Sequence, residues 1–264
     1  SNGLAGVSYA QDSGANADAT ASVFAVAGLS FTTRVSAVQW QAIDDLNANG
    51  VPDDGANLSD NLLTPSFGQE QFPETVALSH SLAAPVGGSL GQFTVSNVSA
   101  FVGGRSQQLV SFSEVGIINL QASLSDNDYL SSVINIIGDA DNLGRFIPAS
   151  FAVIGTPVVT EACASGGFTY LGQELTVIYE LQAIKEAGDV TERYAGNVVK
   201  LTSSLGSFAM GAADNGNNIN LSNRLLPAND IINNTIVIWG PDMGASLGSG
   251  ELETRLTVDR LLVP

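Results

Sequence analysis

Cysteine, histidine and basic residues are scarce in this chain of 264 residues. Cys163 is the only cysteine, which excludes an internal disulfide bond, and His80 is the only histidine, which leaves little material for Cys–His or Ser–His catalysis. Nine Lys and Arg stand against 26 Asp and Glu, for a formal net charge of −17. Such a field repels nucleic-acid phosphates and anionic lipid, so we expect no nucleic-acid partner.

Long hydrophobic runs are also missing. No stretch approaches the roughly 20 apolar residues of a membrane-spanning helix, so we expect no membrane span in this chain. The start, Ser1-Asn2-Gly3, has no initiator Met and none of the basic and apolar regions of a signal peptide, which predicts a fragment whose targeting signal is absent or removed. Hydrophobic residues still make up 44% of the chain against 13% charged, enough to form a core.

Apolar residues alternate with polar ones at a period of two, which is typical of β-strands. One inward row is Leu175, Val177, Tyr179, Leu181 and Ala183, and another is Ile118, Leu120, Ala122 and Leu124. The segments between such rows are rich in Gly, Asn, Asp, Ser and Pro, the residues that form turns. Since no segment shows a long amphipathic helix pattern, the sequence predicts an all-β protein.

Six short segments of the first half recur in the same order in the second half. Four of the six pairs are FAVAG (24–28) with FAVIG (151–155), VQWQAI (38–43) with YELQAI (179–184), TVALS (75–79) with VVKLT (198–202), and SLGQF (89–93) with SLGSF (204–208). This series predicts two copies of one domain. By analogy with its counterpart, the segment 38–43 is expected to be a strand that places Trp40 in the core.

We therefore predict two tandem immunoglobulin-like antiparallel β-sandwich domains, since short strands separated by turns favour that architecture. Pro148 interrupts regular pairing just before the second copy begins. The predicted organisation is an N-terminal segment, 1–20, that is either an edge strand or flexible, followed by one sandwich at 21–146 and a second at 147–264.

Four stretches carry a family resemblance: FSEVGIINLQASLSDNDYL (112–130), GRFIPASFAV (144–153), ACASGGFTYLGQ (162–173) and RYAGNVVKL (193–201). They resemble the C-terminal region of MshQ-type proteins, which are large bacterial surface proteins linked by name to the mannose-sensitive haemagglutinin pilus. The resemblance extends from about residue 24 to the end of the chain. It implies an exported, envelope-associated protein with a pilus or adhesion role, and it supplies no catalytic residues.

One stretch, DDLNANGVPDDG at 44–55, carries oxygen-bearing residues at the alternating positions of a calcium loop, with Gly50 at the sharp turn. The candidate ligands are Asp45, Asn47, Asn49, Val51 through its carbonyl, and Asp53. Ala56 stands at the last position, where an EF-hand has a bidentate Glu, and no helix pattern flanks the loop. Two interpretations stay open: a Ca²⁺ site, or a solvated loop rich in turn-forming residues. Ca²⁺ is the only cofactor that the sequence suggests.

Other candidate sites are weaker. The acidic pairs Asp126–Asp128 and Asp139–Asp141 could hold cations, but ordinary loop acids explain them equally well. No G-x-S-x-G nucleophile motif is present. Trp239 precedes Gly-Pro at a strand end and is a candidate for sugar stacking, with strand packing as the alternative.

The preferred functional hypothesis is a non-enzymatic structural or adhesive protein at the bacterial cell surface, associated with a pilus. Its expected partners are other surface or pilus subunits, and unpaired backbone groups at sandwich edges predict assembly by strand pairing. The alternative is a carbohydrate-binding module of a larger adhesin or enzyme, which would bind a glycan.

Overall fold

A computed structural model describes residues 4–6, 20, 22–50, 52–53, 56–87, 90–133, 135–163, 165–170, 172–201, 225–226, 235–239 and 249–258. Within these ranges the regular structure consists of β-strands and four short 3₁₀ turns, at Ala42–Asp44, Leu58–Asp60, Tyr129–Ser131 and Gly196–Val198. The described part of the chain contains no α-helix, which confirms the all-β class predicted from the period-two pattern.

The chain divides into two compact units. Unit 1 comprises Ser1–Ala149 together with Lys185–Arg193, and unit 2 comprises Ser150–Ile184 and Tyr194–Pro264. The strands of unit 1 are β1 Leu4–Gly6, β2 Ala25–Val26, β3 Ser30–Ser36, β4 Val76–Ala84, β5 Asn97–Val98, β6 Arg105–Ser111, β7 Gly116–Leu124 and β8 Ile137–Ile147. Those of unit 2 are β9 Ser150–Thr160, β10 Glu174–Ile184, β11 Leu225–Leu226, β12 Thr235–Trp239 and β13 Ser249–Val258.

Unit 1 contains two sheets, one of three strands in the order β1-β3-β6 and one of five in the order β2-β8-β7-β4-β5. Neighbouring strands are antiparallel, except that β2 runs parallel to β8. The pairing of β3 with β6, and the place of β7 between β4 and β8, agree with the sheet orders of immunoglobulin sandwiches. The immunoglobulin type itself stays a prediction.

The core of unit 1 lies where apolar side chains of both sheets meet. The predicted inward row of β7 is confirmed, since Ile118, Leu120, Ala122 and Leu124 are all buried. At one end of the core Phe146 contacts Phe24, Phe31 and Phe112, with ring centroids 5.0–5.7 Å apart. Each fully buried ring of this kind contributes roughly 2–3 kcal/mol of transfer free energy, so this cluster is a major source of stability for unit 1.

The sheet of unit 2 has the order β11-β13-β10-β9, and β12 also pairs with β13. Its inward row on β10 follows the predicted alternation, because Val177, Leu181 and Ala183 are buried while Glu180 on the opposite face is exposed. Strand β9 lies at one edge of this sheet and pairs with β10 alone among the described strands.

The prediction for residues 38–43 was wrong. Val38 forms only an isolated bridge to Leu63, a 3₁₀ turn begins at Ala42, and the side chain of Trp40 is 54% exposed. The matching segment at 179–184 does lie in β10. The repeat suggested a strand here because short apolar matches carry no information about the chain reversals that surround them.

The N-terminal segment contributes β1, which pairs antiparallel with β3 at the edge of the three-stranded sheet. Residues 7–19 and 21, like the recurring segment at 204–208, lie outside the described residues. The first continuous piece of unit 1 ends at Ala149, near the predicted boundary, but unit 1 also includes the later segment 185–193. The exact domain limits stay a prediction.

Candidate functional site

The acidic loop that follows the first 3₁₀ turn is closed by its own hydrogen bonds. The carboxylate of Asp45 accepts the backbone N–H groups of Asn49 and Gly50 at 3.0 and 2.7 Å. The carboxylate of Asp53 accepts the backbone N–H of Leu46 at 2.8 Å and also the side-chain amide of Asn47. Each candidate carboxylate therefore already binds donors of the same loop.

The same hydrogen bonds occupy oxygen atoms that a calcium ion would need as ligands. The Oδ1 atom of Asn47 accepts the backbone N–H of Asn49 at 3.1 Å, so a metal ion would compete with amide donors at three of the predicted ligands. Val51 lies outside the described residues. Among the residues that the structure describes, no group of three or more His, Cys, Asp or Glu side chains is arranged to hold a metal ion. The calcium site stays a prediction.

Trp239 lies in an aromatic cluster of unit 2. Its ring packs edge-on against Tyr194, with centroids 4.9 Å apart, and lies 5.6 Å from the ring of Phe151. Its indole Nε1 donates to the carbonyl of Leu201 at 2.8 Å, and the hydroxyl of Tyr194 accepts the N–H of the same Leu201. These contacts favour the packing role of Trp239 over sugar stacking, for which the ring would need a free face.

A buried charge cluster in unit 1 has no counterpart in the sequence prediction. The carboxylate of Glu114 is only 2% exposed and lies 2.7 Å from the ammonium of Lys185. It also accepts the backbone N–H of Glu192 at 3.1 Å. The guanidinium of Arg193 is fully buried, donates to the carbonyl of Leu90 at 2.6 Å and lies 5.2 Å from the ring centroid of Phe112.

The electrostatics of Arg193 follow from this setting. Burial lowers the pKa of its guanidinium, and the nearby carboxylates of Glu114 and Glu192 oppose that shift. Its Nε and Nη1 atoms have no hydrogen-bond acceptor among the described residues. Burying a cation is costly unless it is paired, so Glu114 is the residue that makes the buried position of Arg193 tolerable. The cluster thus fixes the segment 185–193 inside unit 1.

His80 is half-buried on β4, where its ring packs against Phe112 and Phe93 with centroids 5.5 and 6.1 Å apart. Burial is the main cause that lowers its pKa below 6.5, and the charge of Arg193 acts in the same direction. Contacts with backbone at Leu90 and Gly91 oppose the shift. The ring is therefore a neutral packing element.

We expect this packing to make unit 1 sensitive to mild acid. Because the folded pKa of His80 lies below the unfolded value, the unfolded chain binds more protons between the two pKa values, and stability falls as the pH drops through that window from about 6.5. His80→Phe should remove this part of the acid sensitivity. Since His80 is the only histidine, proton NMR of one imidazole signal, with and without urea, measures both pKa values. A folded pKa at or above the unfolded one would contradict the prediction.

An apolar cleft opens between the two sheets of unit 1, at the opposite end of the core from Phe146. Its volume is about 170 Å³, and its floor includes Val35, Phe67, Phe101, Ala122 and Leu124. Tyr129, Ile136 and Ile137 line its mouth. The side chains around the mouth leave apolar surface in contact with solvent, since Leu130, Val133, Ile136 and Ile137 are all exposed. Exposed apolar surface of this kind marks a binding site more often than chance.

The loop at the mouth of the cleft has a strained backbone. Asn127, Leu130, Ser131 and Val133 have φ between 53° and 61°, the left-handed region that non-glycine residues rarely adopt. The loop is held there by carboxylates: Asp128 accepts the N–H of Val133 at 2.6 Å, and Glu74 accepts that of Leu130 at 3.1 Å. Asp126 also accepts a backbone N–H, that of Asp128 at 3.1 Å, so both of these candidates for cation binding accept backbone donors of the loop. Strain of this type is concentrated at ligand-binding and switch sites.

Strand β9 is a long, uncharged edge. Its eleven residues, SFAVIGTPVVT, include no charged side chain, and most of them are exposed. The other edge strands in the described part of the chain are all shorter: β1, β2, β5 and β11 have two or three residues each, β12 has five, and β6 has seven and carries Arg105. Short or charged edges protect a sheet against pairing with another chain, and β9 has neither protection.

Taken together, the strands define the class: a protein of two β-sheet units, with loops and edges as its candidate functional surfaces. The chain belongs to the DUF6701 family, of which residues 5–111 match the second domain and residues 114–260 match the third. The two domain matches agree with a tandem arrangement, although they divide the chain between 111 and 114. No curated protein and no solved structure matches the chain. The described residues include no helix long and apolar enough to cross a membrane.

Sequence reasoning missed the cleft and the charge cluster for different reasons. The cleft is formed by segments as distant as Val35 and Ile137, so no local motif marks it. The cluster had one weak signal, because Lys185 and Arg193 are two of only nine basic residues and both lie in one short connector. That concentration could have pointed to a specific acidic partner.

Proposed function

We propose that the chain is a non-enzymatic structural or adhesive module of an exported bacterial surface protein, pilus-associated, that joins neighbouring subunits by strand pairing along β9. The observation that carries this proposal is the uncharged, exposed edge of β9. An added strand would gain main-chain hydrogen bonds along the edge and side-chain contacts on both faces, which is the general mode of β-augmentation.

The side chains of β9 support this role. Val153 and Val158 are 61% and 62% exposed and lie on an edge strand whose other side already pairs with β10. Pro157 lies where the pairing of β9 with β10 shifts register, between the partners of Ile178 and Glu180. Proline cannot donate to a ladder, so an added strand would pair with β9 in two segments, one on each side of Pro157.

The charge distribution makes a second copy of this chain a suitable neighbour. A net charge of −17 opposes the approach of two copies almost anywhere on the surface. Along β9 no like charges would face each other, so two copies can align this strand antiparallel without local repulsion. Association should strengthen with ionic strength, because salt screens the remaining repulsion.

Sedimentation velocity over a range of protein concentrations tests the proposal. We expect the wild-type chain to self-associate, more strongly at about 0.5 M than at about 0.05 M salt, because the Debye length shortens severalfold. The double variant Val153→Lys and Val158→Lys should stay monomeric, since lysines on an edge strand oppose pairing.

The control is Val102→Lys, which places one such charge on an exposed valine next to a turn of unit 1 and is compared with each single β9 variant as well as with the double variant. It should associate like the wild type. A wild-type chain that is monomeric at all concentrations and salt levels, or a control that loses association equally, would refute assembly through β9.

The exported, surface location rests on the resemblance to MshQ-type proteins, and protease accessibility of the protein on intact producing cells tests it. The glycan-binding alternative has less support, because the ring of Trp239 is packed against Tyr194 and Phe151. Specific binding on a glycan array that is lost with Trp239→Ala, while the fold is retained, would reverse that order.

A further inference from the structure

We propose that the apolar cleft of unit 1 binds a single aromatic side chain, presented by a partner segment whose neighbouring residues are Lys or Arg. This site is separate from the β9 edge and does not depend on assembly through it. The partner is defined here by its chemistry alone: an aromatic anchor flanked by positive charge.

The size of the cleft selects a side chain rather than a larger ligand. Pockets for drug-sized molecules are usually about 300–1,000 Å³, whereas apolar cavities of about 150 Å³ accept one benzene-sized ring. The volume here is about 170 Å³. One phenylalanine ring therefore fills the cleft, and a polycyclic or sugar ligand does not fit.

The lining selects an apolar group. The floor consists of aliphatic and aromatic side chains, among them Val76, Phe101 and Leu124. The ring of Phe67 lies between Phe101 and Tyr129, with centroids 4.8 and 6.0 Å away. These rings can make edge-to-face contacts with an inserted aromatic ring, which aliphatic side chains cannot make.

The negative charge around the mouth of the cleft favours a partner whose aromatic residue has Lys or Arg on either side. Five carboxylates stand in the segments that border the cleft, at Asp60, Glu70, Glu74, Asp126 and Asp128, and the described residues of 56–74 and 125–138 include no Lys or Arg. Tyr129 at the mouth donates its hydroxyl to Glu70 Oε1 at 3.4 Å. Burial, together with the charges of Glu70 and Glu74, raises the pKa of Tyr129. The second oxygen of Glu70, Oε2, is buried and has no hydrogen-bond partner among the described residues, so Glu70 contributes to the rim through its negative charge.

The strained mouth loop gives the cleft a defined opening. Leu130 and Val133 of this loop both have positive φ and exposed apolar side chains, and Ile136 and Ile137, which line the cleft, are exposed as well. An inserted ring would cover part of this surface and return free energy that offsets the strain.

Three pentapeptides test the inference by fluorescence anisotropy or calorimetry with the complete chain. Lys-Lys-Phe-Lys-Lys carries anchor and charge, Lys-Lys-Ala-Lys-Lys lacks the anchor, and Glu-Glu-Phe-Glu-Glu reverses the charge. The first should bind at least about tenfold more tightly than the second, as expected for burying one aromatic side chain. It should also bind more tightly than the third and should weaken as salt is raised.

Variants locate the binding. Ala122→Phe fills the cleft and should abolish binding of the first peptide. Glu74→Gln removes one rim charge and should weaken binding about twofold to fivefold, whereas Glu174→Gln, which removes an exposed carboxylate from unit 2, should leave it unchanged. Because Ala122→Phe could disturb the core, methyl NMR of the wild-type protein provides an independent map, with peptide-induced shifts expected at Ala122, Leu124 and Ile136.

Equal binding of the first two peptides, or shifts confined to other methyl groups, would overturn the inference. The monomeric variant Val153→Lys and Val158→Lys should bind the first peptide as the wild type does. If this variant loses self-association and still binds the peptide, the β9 edge and the cleft are separate sites.

Discussion

Replacing Glu114 with alanine is expected to lower the free energy of unfolding of unit 1 by about 3–5 kcal/mol. The change removes the carboxylate that pairs with Lys185 at 2.7 Å and that balances the charge of the fully buried Arg193. It also leaves the N–H of Glu192 without its acceptor. Most of the loss comes from the cation left behind, because an unpaired charge in the interior keeps its desolvation cost without any Coulombic return.

Hydrogen exchange of the β7 amides, measured by mass spectrometry, reports on unit 1 without interference from unit 2. Two variants separate charge from packing. Glu114→Gln keeps the shape and an acceptor, so its loss should be smaller than that of the alanine variant. Lys185→Met should have the smallest effect, since Lys185 is partly exposed and Glu114 would keep the buried Arg193 as its counter-ion. A loss below about 1 kcal/mol for Glu114→Ala would show that the cluster is not a stabilising pair.

Gly116→Ala is expected to destabilise unit 1 by about 4 kcal/mol, from backbone strain and steric overlap together. Gly116 has φ of +121°, a region that only glycine adopts readily. An added Cβ would lie far inside van der Waals contact with the carbonyl oxygen of Ala84 on the neighbouring strand, and backbone cannot move aside as a side chain can. The pairing of β7 with β8 also shifts register at this residue, so the strain falls on both ladders.

The control for this variant is Gly103→Ala. Gly103 also has a positive φ, +59°, but an added Cβ meets no atom within 4 Å. It should therefore cost only the backbone term, about 1–2 kcal/mol. Exchange of the β4 and β7 amides measures both variants, and equal losses would mean that the contact with Ala84 contributes nothing.

Much of the sheet structure was predictable because it depends on local alternation. The rows on β7 and β10 follow a period of two. The whole predicted row of β7 is buried, whereas on β10 three of the five predicted inward residues are buried and the other two, Leu175 and Tyr179, are half-buried. Pairing partners were not predictable to the same degree, since a strand pattern does not say which neighbour it will have. The segment around Trp40 shows the limit: it alternates like a strand, but a 3₁₀ turn at Ala42 ends the extended backbone.

The candidate sites also differ in how far the sequence could predict them, depending on whether their residues are adjacent in the chain. The loop at 45–53 was visible because its residues are adjacent in sequence, and the structure shows that they bind the loop's own amides. The cleft was invisible because its walls come from both sheets. Long-range packing also surrounds Trp239: its ring lies against Tyr194 and its indole N–H donates to the carbonyl of Leu201, contacts that no local sequence pattern indicates.

The sequence by itself determined the all-β class, the acidic surface and the absence of an internal disulfide, because each follows from local pattern or composition. It also placed a charge-free run at Ser150–Thr160. Only the tertiary structure decided that this run is an edge, that Glu114 compensates Arg193, and that the sheets of unit 1 leave an apolar cleft between them. The physical reason is that strand pairing and burial bring together residues far apart in the chain, and a local pattern does not specify which residues will meet.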